Sequence, residues 1–421
     1  MTTAGMWRAL TPTERIYADK EIYTGYMVHA AGRLDPDALK TAYEAVCHAH
    51  PQLAGRLENG DEGLHVVESG TRPEVRFCDG DLEHPLTGVE LDQRQTLSML
   101  NVVRDGDEAS VTLLTHHGIA DGHHSIGVLA ALWSCYTDVI QGVPVDLPRQ
   151  PFPRSLEDLL AERGIRGAVP TGAATPRASH VTDVPAPGLV PLVRHVAQCR
   201  FTPAETTALA ELCRRAHITV SGLVSGALLL VEAEFRDVPV TDLVLRFPVN
   251  LRNRLTPRIG ATEGANVVGE VRFRVTDGIE PHAVAIGRAF GERLRAGLAD
   301  GSIQRSLPDI VDMINRHTVG AATPREARQA APREAGPAVI SMTNVGLVPP
   351  MRTPDGLRLT NFNMVSRIRE APAQFVAARG YVVSTFAGRL SIALAWPEKD
   401  AEQSRRLDRL RELLTRMTPE S

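Results

Sequence analysis

The stretch ASVTLLTHHGIADGHHSIGVLAAL, residues 109–132, decides how the rest of the chain is read. Its opening, with Val111, Thr112, Leu113, Leu114 and Thr115 in succession, is the β-branched, apolar run expected of a buried strand. Successive strand residues face opposite ways, so His116 and His117 point to different sides and only one of them reaches a shared cavity. A short turn over 118–120 leads to Asp121. Apolar residues then recur at helical spacing, at Ile126, Leu129, Ala130, Trp133, Tyr136 and Ile140, so a helix begins just after Asp121. An aspartate there is either an N-cap or a buried ion-pair partner that holds the turn and aims the histidine. With fourteen histidines in 421 residues, HHxxxDG is a rare arrangement by chance.

Working outward, Asp35 before Pro36 combines an N-cap with proline at the first helical position. It opens DALKTAYEAVCHAH, whose Leu39, Ala42, Tyr43, Val46 and Cys47 recur at helical spacing. Strands are predicted around 64–67, 75–78 and 97–103. In the second half they are predicted over 242–248, 269–275 and 381–395, and helices over 203–216 and 220–235. Proline, glycine and alanine dominate 164–191, which divides the chain into roughly equal parts. A second irregular stretch, 321–337, reads as a long surface loop or a lid. The predicted class is α/β (α+β), with an N-terminal subdomain over 1–175, a linker over 176–194 and a C-terminal subdomain over 195–421.

Composition narrows the function. A chain of 421 residues, 43% hydrophobic, has room for two full cores. Its net charge of −4 excludes a globally basic nucleic-acid binder. Only three of the 46 basic residues are lysine, so any anion recognition falls to arginine. Five scattered cysteines without a CxxC pair argue against a disulfide framework and against structural zinc. No apolar run reaches membrane-spanning length and no signal peptide opens the chain, so the expectation is a cytoplasmic protein, and a monomer.

On these residues the chain resembles the condensation-domain-like acyltransferases, and most closely their phthiocerol/phthiodiolone dimycocerosyl transferase type. That family's motif is His, three residues, Asp, fourteen residues, Tyr, which His117, Asp121 and Tyr136 match in spacing. LTPTERIYADKEIYTGYMV and LDPDALKTAYEAVCHAHPQLAGRLE are similar to the family's opening. PVNLR (248–252), the turn at 266–269, SMTNVG (341–346) and MRTPDGL (351–357) follow in the family's order. The DFGWG motif of peptide-forming condensation domains is absent, which favours an esterifying enzyme. The resemblance implies two chloramphenicol-acetyltransferase-like subdomains forming a V, with a tunnel between them and His117 midway along it. It also implies an O-acyltransferase that takes an acyl group from a carrier-protein or coenzyme A thioester to a hydroxyl of a polyketide or lipid-like acceptor. No cofactor is implied beyond that co-substrate.

Each candidate residue then has a chemical role and a structural one. A hydroxyl attacking a thioester must lose its proton, and a neutral imidazole accepts it near neutral pH, which suits His117 as general base. His116 is expected to be structural. By resemblance Asp121 pairs with an arginine, for which Arg252 is the first candidate and Arg56 the second. Gly122 at the helix start either offers its N–H to a developing oxyanion or simply makes the turn. Asn250, Ser341 and Thr343 either line the tunnel or act as turn and cap residues. The histidines at 116, 117, 123 and 124 match no standard metal spacing. Without a GxSxG elbow, transfer is expected to be direct rather than through an acyl-enzyme. Arg325, Arg328 and Arg333 are candidates for donor docking, since guanidinium suits the phosphate of a phosphopantetheine arm. The rival readings are a carrier-recruiting module without activity, and amide-forming or cyclising chemistry on the same scaffold.

Overall fold

Two six-stranded sheets and a small three-stranded one organise the computed structural model, which describes residues 6–60, 63–71, 73–165, 190–193, 195–309, 338–371, 380–396 and 401–418. The first half runs β1 (Met6–Ala9), α1 (Pro12–Ala18), β2 (Ile22–Ala31), α2 (Pro36–Ala49), β3 (Gly55–Gly60), β4 (Gly63–Glu68), β5 (Val75–Asp79), β6 (Ser98–Asp105), β7 (Glu108–His116), α3 (Gly122–Ile140) and α4 (Leu156–Ala161). After it come β8 (Val190–Val193), β9 (His195–Arg200), α5 (Pro203–Arg215), α6 (Val220–Arg236), β10 (Leu243–Asn250), β11 (Val268–Arg274) and α7 (Ala283–Ala299). The chain closes with β12 (Ala338–Leu347), β13 (Arg358–Ala371), β14 (Gly380–Phe386), β15 (Arg389–Trp396) and α8 (Ala401–Thr415). This is the mixed α/β architecture expected from the sequence.

The first sheet has the order β5-β6-β7-β2-β13-β8, the second β11-β10-β12-β14-β15-β9. Each packs against a core of its own, and the first sheet buries part of its other face as well, around Tyr23, Met99 and Leu114. Strand β10 shows why: Leu243, Leu245, Phe247 and Val249 are buried, while Val244, Arg246, Pro248 and Asn250 alternate with them half-buried. The helices begin where their caps dictate. Asp35 accepts from the amides of Asp37 and Ala38, and Thr202 and Thr219 cap α5 and α6 in the same way. Helices α6 and α7 pack backbone against backbone: a Cβ added at Gly226 would lie 2.2 Å from the carbonyl oxygen of Ala283.

Several features depart from the sequence reading. The strand expected over 381–395 is two strands, β14 and β15, paired antiparallel across Ala387 and Gly388. Both turn residues have positive φ, +48° and +73°, as a tight hairpin requires. Alanine is rare in that conformation and gave no turn signal. Strand β13, late in the chain, pairs with β2 over ten positions and so completes the first sheet, while β8 lies within the stretch read as linker and pairs with β13. Hence the two sheets do not divide where the sequence does. The stretch 321–337 lies outside the described residues. No single described helix is long and apolar enough to cross a membrane; α5 and α6 pass that test only as a pair bent by 99°, and α6 is largely buried in the second core.

Candidate active site

Strand β7 ends at His116, and the chain turns there to bring His117 and Asp121 against a loop of the second half. The two histidines part to opposite sides, as strand parity requires. His116 is fully buried; its Nδ1 accepts from the Gly118 amide at 3.1 Å and its Nε2 donates to Oε1 of Gln93 at 3.0 Å. Burial, with His117 adding to it, lowers its pKa to about 3, so it is a neutral structural group. His117 faces the other way and is half-buried.

Asn266 fixes the state of His117. Its Nδ2 donates to the His117 carbonyl at 2.8 Å, which turns its Oδ1 toward Nδ1 of the imidazole at 3.1 Å. Nδ1 is therefore the protonated nitrogen, and Nε2 keeps its lone pair with no hydrogen-bond partner among the described residues. Burial holds the His117 pKa below its usual value, opposed by its own carbonyl, Asp121 and Asn266. The ring of Tyr17, on α1, lies flat on the imidazole, with centroids 4.0 Å apart and planes within 6°.

Asp121 is both the N-cap and the ion-pair partner. One carboxylate oxygen accepts from the His124 amide at 3.0 Å; the other accepts from Nη1 of Arg252 at 2.6 Å and the Val267 amide at 2.8 Å. The side chains are only 2% and 4% exposed. Burial pushes the Asp121 pKa up, but Arg252 and the amide outweigh it and the carboxyl titrates below its ordinary value. Arg252 spends its other donors on the carbonyls of Ala261 and Gly264, and the Asp121 amide donates to Ala265 at 2.8 Å. This lattice clamps the start of α3 to the second half. Arg56, the other candidate, pairs with Glu58 instead.

The remaining candidates scatter. Gly122 is the first residue of α3, and a Cβ there would sit 3.1 Å from the Tyr26 hydroxyl, so the glycine keeps that corner open. Tyr136 is buried and accepts from the Asp35 amide at 2.9 Å, tying α3 to the start of α2. Asn250 accepts from the Arg252 amide at 3.0 Å, the turn-capping role. Ser341 and Thr343 stand half-buried on β12, in a strand rather than in a turn or cap. His124 is buried between Gln52 and the Gly264 carbonyl, its pKa lowered to about 4 by burial. No group of three His, Cys, Asp or Glu is placed to hold a metal ion among the described residues. Arg325, Arg328 and Arg333 lie outside them. Sequence reasoning passed over Tyr17 and named Asn266 only as the start of a turn; their contacts with His117 span 100 and 149 positions, and no local spacing reveals that.

A family model described as the phthiocerol/phthiodiolone dimycocerosyl transferase C-terminus matches residues 191–395. A phthiocerol/phthiodiolone dimycocerosyl transferase of Mycobacterium ulcerans is 32% identical over 405 residues, covering 92% of this chain and 91% of that one. Another, of Mycobacterium tuberculosis, is 29% identical and covers 95% of each. Among solved structures, polyketide synthase associated protein 5 from Mycobacterium tuberculosis superposes with a TM-score of 0.77 at 27% identity, over 98% of both chains. The first condensation domain of the CDA synthetase shares the fold, with a TM-score of 0.69 at 13% identity over 99% of this chain and 98% of that one.

Proposed function

The chain belongs to the phthiocerol/phthiodiolone dimycocerosyl transferase family and is an acyltransferase, and we propose that it esterifies a hydroxyl of a polyketide or lipid-like acceptor with an acyl group delivered as a thioester, with His117 as general base. The observation that carries the reading is the tautomer: Asn266 accepts the Nδ1 proton, leaving Nε2 as a basic, half-buried nitrogen. Nε2 takes the acceptor's proton as its oxygen attacks the thioester carbonyl. The tetrahedral intermediate then expels the thiolate, which recovers that proton from the imidazolium. The Gly122 amide at the start of α3 is suited to the oxyanion formed between the two steps. Asp121 and Arg252 take no proton; they hold the turn that aims the imidazole.

Purified protein given acyl thioesters on coenzyme A or on a carrier protein, with a panel of alcohols and amines, tests the reading. Ester formation is expected, and His117→Ala should fold normally yet lose at least about a hundredfold in rate, the low end for a general base. Amide products would redirect the assignment to condensation chemistry. An unimpaired His117→Ala protein would remove the mechanism.

A further inference from the structure

The ring of Tyr17 and the imidazole of His117 are parallel, 4.0 Å apart between centroids and 6° between planes. The helix that carries this tyrosine is held at both ends. At its start Arg8 grips the fully buried Glu14 through two bonds of 2.6 Å, and Glu157 accepts from the amide and hydroxyl of Thr13, both at 3.0 Å. At its end the Ala18 carbonyl accepts from Gln93 at 3.1 Å, and that same glutamine accepts from His116, the neighbour of the reactive histidine. A seven-residue helix fastened in this way presents its last aromatic side chain as a fixed surface.

That surface bears on the chemistry. Asn266 anchors one edge of the imidazole through a single bond, which leaves the ring free to tilt about it. A parallel aromatic face removes that freedom. It also faces the cation that forms when Nε2 takes a proton, and an aromatic face attracts a cation. Among the described residues the charge that acts on the imidazole is Asp121, itself shared with Arg252, beside the neutral His116; Arg246, Asp121, Glu270 and Glu14 act on the Tyr17 hydroxyl. The Tyr17 hydroxyl itself, its pKa raised to about 12 chiefly by burial, stays protonated.

We propose that Tyr17 is a positioning residue for His117: its ring fixes the imidazole plane so that Nε2 faces the acceptor hydroxyl, and its face steadies the imidazolium formed in transfer. The proposal rests on His117 being the general base, and its test separates the two. Kinetics of full-length Tyr17→Phe, Tyr17→Leu and Tyr17→Met are compared, with NMR titration of the His117 ring proton, assigned by its loss in His117→Gln. Tyr17→Phe keeps the ring and should retain wild-type kcat within about threefold. Tyr17→Leu, with Tyr17→Met as a second variant should leucine not fold, should lower kcat by about ten- to a hundredfold with KM for both substrates little changed. In those two variants the His117 pKa should fall by roughly half a unit, the size of a lost cation–π contact. An unchanged kcat and titration in the leucine or methionine variant overturns the proposal, as does a phenylalanine variant as impaired as leucine. Full turnover in His117→Ala would remove the base reading and this proposal together, whereas the titration judges the ring contact without reference to turnover.

Discussion

At the scale of single residues, Asp121 shows how one carboxylate serves two structural ends. Losing an N-cap costs about 0.5–2 kcal/mol, while leaving one member of a buried ion pair unpaired costs roughly 3–5 kcal/mol. Because Asp121 and Arg252 are in contact at 2.6 Å and both buried, Asp121→Ala and Arg252→Ala should each exceed the capping range. The double variant should fall well short of their sum in urea unfolding. Additive effects would mean that the pair is not coupled. A second expectation follows from the buried histidines. His116 and His124 have pKa values lowered by burial to about 3 and about 4, from an ordinary 6.5. Between pH 6.5 and 4 the unfolded chain binds protons at these positions that the folded one refuses. Stability contributed by their neutral forms is therefore complete above pH 6.5 and is lost as pH falls, at up to about 1.4 kcal/mol per unit for each histidine. Urea midpoints across that range should show the slope, and His124→Gln should flatten it. The motif itself, HHxxxDG, was legible because parity and capping are local rules. Tyr17, Gln93 and Asn266 were not, because only the tertiary fold brings them to the histidines.

Elements were legible where one period ran undisturbed. Helix α2 begins at its Asp35 cap, and β10 keeps strict alternation over its whole length. Strand β2 was passed over because its central residues are buried on both faces, so no alternation marks it. The β14–β15 hairpin is not legible because Ala387 holds the first turn position, where asparagine or aspartate before Gly388 would have signalled it. Packing between helices offers a sharper test than their boundaries do. In a helix alanine is favoured over glycine by about 1 kcal/mol. At Gly226 that gain meets the Ala283 carbonyl only 2.2 Å from the new Cβ, whereas at Gly291 on α7 nothing lies within 4 Å. Gly226→Ala should therefore lower the melting temperature and Gly291→Ala should raise it slightly. Equal responses would show that α6 and α7 do not meet where Gly226 and Ala283 place them.

For the whole molecule, the placement of β13 outweighs the near-equal division that the sequence suggests. Residues 358–371 leave the second half and lie between β2 and β8, pairing with β2 from Ile22 to Ala31. The site is shared in the same way: His117, Asp121 and Tyr17 come from the first half, Asn266 and Arg252 from the second. A fragment ending near residue 175 would lack β13 and leave the open edge of β2 without a partner, a strand end that invites aggregation. It would also bury Asp121 without its counter-charge, or expose it by loosening the start of α3. Two halves that share a site, the second also lending a strand to the first half's sheet, are expected to melt together. Calorimetry of the intact chain should therefore show one cooperative transition, and the isolated first half should be unfolded or aggregated. Two resolved transitions, together with a soluble first-half fragment that keeps β7 and α3 folded, would show that the insertion of β13 into the first sheet contributes little to stability.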